Sequence, residues 1–439
     1  MLNILKNYVI FTFKLFYGEF IVIGKENIPV NSPVIFAPNH LNALMDALAI
    51  HSIAPSNSPV TFLARADLFN NKRLGKFLRY IKILPAFRMR DGMENLAKNN
   101  LVFESCVDIL LDNKTLGIMP EGNQGEQRQL RTFGKGIFRI AFAAQQKLDN
   151  NKTVKIIPVG IDFGSLHKFG KHIIINIGKP INVIDYMEIY SENNVTATNE
   201  IKDRLYMELS NLTLNISSKT NYECFETSIE IANSSLIDGL EIDNKTIMLF
   251  EARQQIANRL LMFEKTDSNK INILKALCAK YQKLIKRLNF KTWIFDEQYY
   301  RTAPLLFECL LLCISFPAFI IGFILNLLPF FVPVLIRKNL NVEYKGFFSS
   351  IHYVLGIITF PFFYLIQTIL FASLTSSTWV EILIFFCSQY IIGKWALEWY
   401  RFAKKILAKI RYNNLVINKS TLVLETQDIR KKIIQLIKN

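Results

Sequence analysis

The chain has 439 residues, a net charge of +16 and 51% apolar residues, 35 of them phenylalanine. That length is sufficient for two or three structural units. A basic chain this apolar suits an anionic membrane surface and argues against nucleic acid as partner, because nucleic-acid binders are basic without long apolar runs. Cys106, Cys224, Cys278, Cys309, Cys313 and Cys387 are scattered, with no histidine or second pair beside Cys309 and Cys313. This spacing predicts neither a disulfide framework nor a zinc site, and a reducing compartment for the soluble part.

Residues 1–16 read as an amphipathic N-terminal helix, either touching a membrane or packed on the domain. Lys6 and Lys14 interrupt the apolar run, and no small-residue cleavage site follows, which argues against a signal peptide. Strands are expected at 20–23 and 34–37, followed by a helix over 42–53 with Asn42 as its N-cap. Strands at 60–64, 83–87, 116–119, 154–161 and 173–177 alternate with helical patterns at 74–80, 93–112 and 136–146. That alternation predicts an α/β domain over 17–184, a mostly parallel sheet flanked by helices, with polar loops gathered at one sheet edge.

Residues 185–302 are rich in Asn, Lys and Glu and read as a helical region, clearest at 254–263 and 273–288. Two charge-free runs follow, 311–336 and 347–380, each beyond the roughly 20 residues a bilayer crossing needs. Basic clusters before, between and after the runs predict paired crossings if all stay cytoplasmic. The expectation is a transmembrane region over 303–402 with four crossings as two hairpins, one turning near 326–333 and one near 375–378. Three crossings is the alternative. A basic cytoplasmic tail over 403–439 completes the organisation.

Three constellations could carry chemistry. His40 at a strand end has Asp46 in the first turns of the next helix. A neutral imidazole can take a proton from a hydroxyl when a carboxylate holds its other nitrogen. Residues six apart on one helix lie on different faces, so the pair can meet only if His40 precedes the helix. Otherwise His40 is a surface histidine and Asp46 a helix-dipole acid. The second constellation is the loop Pro120-Glu121-Gly122-Asn123-Gln124-Gly125, with Arg128, Arg131 and Lys135 after it. Such a loop can hold a polar head by backbone N–H groups and glycines, or be a mere turn. The third is Arg65 and Arg88, with Arg90, after their strands. An arginine fork grips phosphate bidentately, while the bland alternative is solvated charge.

Together these residues resemble the glycerophospholipid acyltransferase family. Its blocks are matched by Asn39-His40 with Asp46, by Arg65-Ala66-Asp67-Leu68-Phe69 through Leu84-Pro85-Ala86-Phe87-Arg88, by Pro120-Glu121-Gly122, and by Ile156-Ile157-Pro158-Val159-Gly160. Most of the family has four residues between the His and the Asp, whereas this chain has five, Leu41 to Met45. That spacing resembles the fungal-type glycerol-3-phosphate and dihydroxyacetone-phosphate acyltransferases. Gln124 stands where many relatives have an arginine.

The resemblance implies an integral membrane acyltransferase with a cytoplasmic catalytic domain and no cofactor or metal. The donor would be an acyl-CoA or acyl carrier protein thioester, and the acceptor a hydroxyl of glycerol 3-phosphate or dihydroxyacetone phosphate. His40 and Asp46 would be catalytic. Asn39, Arg65, Arg88, Glu121, Gly122, Arg128 and Arg131 would bind substrate, with oxyanion donors near Glu121 and Gly122. Acylation of 1-acylglycerol 3-phosphate is the alternative within the class. A metal-dependent hydrolase and a non-catalytic membrane scaffold are the rivals outside it.

Overall fold

The computed structural model describes residues 2–55, 58–86, 95–149, 151–235, 245–340, 342 and 344–438. It divides into two units, residues 1–215 with 342–353, and residues 216–341 with 354–439.

The first unit is built on an eight-stranded sheet. Helix α1 (Leu2–Phe16) precedes β1 (Glu19–Ile23), and β2 (Val34–Pro38) leads into α2 (Leu44–Ile53). Then come β3 (Val60–Arg65), α3 (Lys72–Tyr80), β4 (Ile83–Ala86), α4 (Asn95–Leu111), β5 (Thr115–Gly117) and α5 (Gly136–Lys147). Strands β6 (Lys155–Phe163), β7 (His172–Ile177) and β8 (Ile181–Asn182) complete the sheet, and α6 (Met187–Glu192) and α7 (Asn194–Leu212) follow. The order is β1-β7-β6-β2-β5-β3-β4, with β8 also on β6. Strands β6, β2, β5, β3 and β4 run parallel, while β7 and β8 are antiparallel to β6. The expected mostly parallel α/β sheet is therefore present.

Every residue of β2 is buried, because a central parallel strand is covered on both faces and reads as one apolar run. On one face Cys106, Val107 and Leu110 of α4 and Phe138, Ala141 and Phe142 of α5 share a core with Ile35, Leu116 and Ile156. The same core includes Ala197, Ile201, Leu205 and Leu209 of α7, and Asn176 of β7 donates its side-chain amide to Leu212 O at 3.0 Å. The α/β unit thus runs past the expected boundary at 184. Helix α1 buries Phe13 and Phe16 and leaves Ile4 and Phe11 exposed.

The second unit is helical: α8 (Tyr222–Ser235), α9 (Lys245–Thr266), α10 (Ser268–Leu288), α11 (Thr302–Asn339), α12 (Phe348–Leu374, whose first turns lie in the first unit), α13 (Trp379–Ile417) and α14 (Thr421–Lys438). Helix α10 starts where the Asp267 side chain accepts the Lys270 N–H and ends at left-handed Asn289. It buries Ile271, Leu274, Cys278, Tyr281 and Leu288, a helical stripe. Residues 403–439 are not a tail. They finish α13 and form α14, which buries Val423, Ile429, Ile433 and Ile437.

Three helices among the described residues, α11, α12 and α13, are long and apolar enough to cross a membrane. The turn expected near 375–378 separates α12 from α13. The hairpin expected within 305–336 does not form, because α11 is continuous through Pro317, Pro329 and Pro333. A helix proline frees the carbonyl four residues earlier. Leu325 O, freed by Pro329, accepts Gln367 Nε2–H at 2.8 Å, and Pro329 O, freed by Pro333, accepts the Thr359 hydroxyl at 3.1 Å. Side chains of α12 thus satisfy the carbonyls freed by Pro329 and Pro333, as apolar spans with proline require.

Candidate active site

The C-terminal edge of the parallel strands, where open α/β sheets hold ligands, brings the loops after β2 and β5 together. Asn39 extends the β2–β6 ladder beyond the strand. Its Oδ1 accepts the Ile161 N–H at 2.7 Å and its Nδ2–H donates to Ile161 O at 3.1 Å. The amide expected to touch substrate instead anchors the backbone that carries His40.

His40 lies just before α2, and Asp46 is the third residue within it. Nδ1 of His40 is 2.8 Å from Oδ2 of Asp46, and the same oxygen accepts the Asn42 N–H at 2.7 Å. The Asp46 side chain is 0% exposed and that of His40 18%. Nε2 of His40 has no protein partner among the described residues. Five intervening residues fit because Met45 N–H closes a turn on Asn42 O at 2.9 Å and Ala43 takes φ 47°, ψ −118°. That backbone is costly for a residue with a Cβ, and such strain collects at functional sites. Asn42 is not the N-cap. Ala43 stands there without a side-chain cap, and Asn42 Oδ1 accepts the Ser349 hydroxyl at 2.6 Å. The Asp46 carboxylate, reaching back to the Asn42 N–H, supplies the negative charge at the helix start.

Glu121 ties the two loops. Its Oε1 accepts the His40 N–H at 2.8 Å, while Oε2 accepts the Arg131 N–H at 3.2 Å and Nε–H at 2.8 Å. Only 1% of the side chain is exposed. Burial pushes its carboxyl above the usual carboxylate range, against the opposing pull of the Arg131 charge and these N–H groups. Glu121 is therefore an interior clamp with both oxygens engaged. Gly122 turns the chain at φ +68° and donates its N–H to Met119 O, and Gly125 N–H donates to His40 O at 2.9 Å. Those two amides serve the loop rather than an oxyanion.

Arg131 donates Nη1–H to Gln124 O at 2.6 Å, and its Nη2 is buried with no hydrogen-bond partner among the described residues. Arg128 donates Nε–H to Asp162 at 3.3 Å and Nη2–H to Phe163 O at 2.6 Å, and with Asn39, Glu121 and Ile161 it lines one small cavity. Arg65 ends β3, two strands from β2, and pairs with Asp67 on the surface. Arg88 and Arg90 lie outside the described residues. Among the described residues no three His, Cys, Asp or Glu side chains form a group able to hold a metal.

Sequence reasoning overlooked four residues here. Tyr344 donates its hydroxyl to Gln124 O at 2.8 Å, and Ser349 holds Asn42, although both come from a segment beyond α11. Asp162 receives Arg128. Among the described residues the buried Tyr17 hydroxyl has no hydrogen-bond partner, and neither has Oδ1 of Asp46. Burial, followed by the Asp46 charge, pushes the Tyr17 phenol well up. Only Asp162, at a strand end, carried a local signal.

Residues 19–162 match the family model described as Acyltransferase. The chain is 24% identical over 199 residues to a 1-acyl-sn-glycerol-3-phosphate acyltransferase of Borreliella burgdorferi, covering 44% of this chain and 73% of that protein. It is 27% identical over 193 residues to the Bacillus subtilis protein of the same description, covering 43% and 87%. Glycerol-3-phosphate O-acyltransferase 1 of Saccharomyces cerevisiae is 27% identical over 124 residues, 26% of this chain and 16% of that protein. A solved structure, the 1-acyl-sn-glycerophosphate (LPA) acyltransferase PlsC from Thermotoga maritima, covers 46% of this chain and 77% of its own at 18% identity and a TM-score of 0.33. The matched residues, 19–162, include all four of the sequence blocks singled out above.

Proposed function

We propose that this acyltransferase segment moves a fatty acyl group from a thioester to a hydroxyl of a glycerol-phosphate acceptor, with His40 as general base. The observation that carries the reading is the His40–Asp46 pair at 2.8 Å, with Nε2 of the same ring unpartnered. Asp46 fixes the Nδ1–H tautomer and stabilises the imidazolium that forms. Nε2 takes the acceptor's proton as its oxygen attacks the thioester carbonyl. The C–S bond then breaks, and the imidazolium returns the proton to the departing thiolate. The protein supplies no nucleophile in this scheme, and much of the rate comes from holding both substrates together. The buried Nη2 of Arg131, beside the His40–Glu121 clamp, is the group best suited to the acceptor's phosphate.

For the acceptor, the resemblance of the five-residue interval between His40 and Asp46 to the fungal-type glycerol-3-phosphate and dihydroxyacetone-phosphate acyltransferases favours one of those two phosphates. The two bacterial relatives carry the description 1-acyl-sn-glycerol-3-phosphate acyltransferase, which favours lysophosphatidate as the second reading. The test gives reconstituted protein acyl-CoA or acyl carrier protein thioester with each acceptor in parallel. His40→Ala is expected to lose turnover by about 10²–10⁴-fold. Acyl transfer by a well-folded His40→Ala protein at the unmodified rate would end the proposal.

A further inference from the structure

Helix α3 carries a surface that the acyl-transfer reading does not use. Gly75 is its one buried residue, set against the Phe69 backbone, where an added Cβ would come within 3.0 Å of a carbonyl oxygen. Around it, Leu74, Phe77 and Tyr80 are 43%, 50% and 52% exposed, and Leu68 in the preceding turn 45%. At 100° per residue, Lys72, Arg73, Lys76 and Arg79 fall within one arc of about 120°, with Tyr80 inside it and Phe77 about 40° beyond its edge. No acidic residue occurs from 68 to 90. Arg79 also stacks over the Phe69 ring, 5.3 Å from its centroid, which fixes the helix to the turn. That turn leaves the C-terminal end of β3, the sheet edge that also carries His40.

We propose that α3 and the turn before it form an interfacial element that rests this edge of the sheet on an anionic lipid surface. Large half-exposed apolar side chains beside a basic arc are the composition of helices that lie in a bilayer interface. Each basic side chain near an anionic surface favours the bound state by about fivefold, the equivalent of ~1 kcal/mol. An acidic protein could meet the same charges. The lipid surface fits better because three apolar helices of the same chain keep a bilayer at high effective concentration.

The test is independent of turnover. Full-length protein with Cys309, Cys313 and Cys387 changed to alanine carries an environment-sensitive fluorophore on Phe77→Cys, or on Glu192→Cys as the water-exposed reference. It is reconstituted into vesicles of phosphatidylcholine alone or with three parts in ten phosphatidylglycerol. The expected result is a blue-shifted label at 77, quenched by headgroup-level nitroxide lipid only in the anionic vesicles and reversed by 0.5 M salt, with the label at 192 unchanged. Combining Lys72→Gln, Arg73→Gln and Lys76→Gln should remove the shift. A label at 77 as wet as that at 192 in both vesicles overturns the proposal. So does a shift equal in both vesicles, or one that appears only when an acidic carrier protein is added.

Discussion

Glu121 Oε1 accepts the backbone N–H of His40 at 2.8 Å, so a carboxylate from the loop after β5 fixes the backbone of the loop after β2. Its other oxygen holds Arg131, which reaches on to Gln124 O. The proposed base, its orienting loop and the buried Nη2 of Arg131 are thereby one connected assembly. Glu121→Ala leaves two half-buried N–H groups and a guanidinium without their acceptor. Unfolding of the catalytic unit should become easier by about 2–3 kcal/mol, and the acceptor KM should rise together with a fall in kcat. In a double-mutant cycle with Arg131→Gln, coupling of about 1–3 kcal/mol is expected between the two sites. Additive effects would mean that the clamp does not act as a unit.

Asp46 presents one oxygen to both Nδ1 of His40 and the Asn42 N–H. Asp46→Asn keeps the shape while removing the charge that favours imidazolium and selects the tautomer. A fall in kcat of about 10²–10⁴-fold with little change in KM is expected. Steady-state kinetics with a circular-dichroism check of folding decides it.

Ala43 holds φ 47°, ψ −118° between these two residues. Glycine adopts positive φ without the Cβ penalty. Ala43→Gly should therefore stabilise the unit by about 1 kcal/mol or less, whereas Ala43→Val should destabilise it by more than 1 kcal/mol. Chemical denaturation of the pair measures both signs. Activity of Ala43→Gly tests whether the strained turn also sharpens the His40–Asp46 geometry.

The parts of this arrangement legible in the sequence are local ones. Val34 to Ala37 form one apolar run because β2 is buried on both faces, and the run points directly at His40. The six-residue offset could be reasoned to a meeting of His40 and Asp46, since only a turn before the helix permits it. The return of Tyr344 to Gln124 spans 220 positions and that of Ser349 to Asn42 spans 307. No periodicity or motif encodes such contacts. Helix α7 did show its stripe, Ala197, Ile201, Leu205 and Leu209, but within a polar composition that hid it. Glu121 and Asn39 were singled out by type, yet a carboxylate or amide on a loop looks the same whether it faces substrate or backbone.

His51, near the end of α2, has its ring pushed down to about 4 by burial and then by the Lys6 charge. In the unfolded chain a histidine titrates near 6.5. The folded state therefore binds fewer protons between these values. Stability is intact above about pH 6.5, declines as pH falls through the window and levels off below about 4. The total is about 3 kcal/mol at ~1.4 kcal/mol per pKa unit. Thermal unfolding of the reconstituted protein from pH 7.5 to 4 should show this slope, and His51→Gln should flatten it.

The prolines of α11 give the last prediction. Gln367 Nε2–H covers Leu325 O, the carbonyl that Pro329 strips of its helical donor, and Thr359 does the same for Pro329 O below Pro333. In hydrocarbon no water can replace either donor. Gln367→Leu combined with Thr359→Val should weaken the packing of α11 on α12 by about 1–2 kcal/mol. Adding Pro329→Ala and Pro333→Ala restores the intrahelical donors, so most of that loss should return. Detergent-titrated unfolding of the four-residue set against the pair reads the outcome. If the proline replacements restore nothing, these side chains hold the helices together by packing rather than by capping the freed carbonyls.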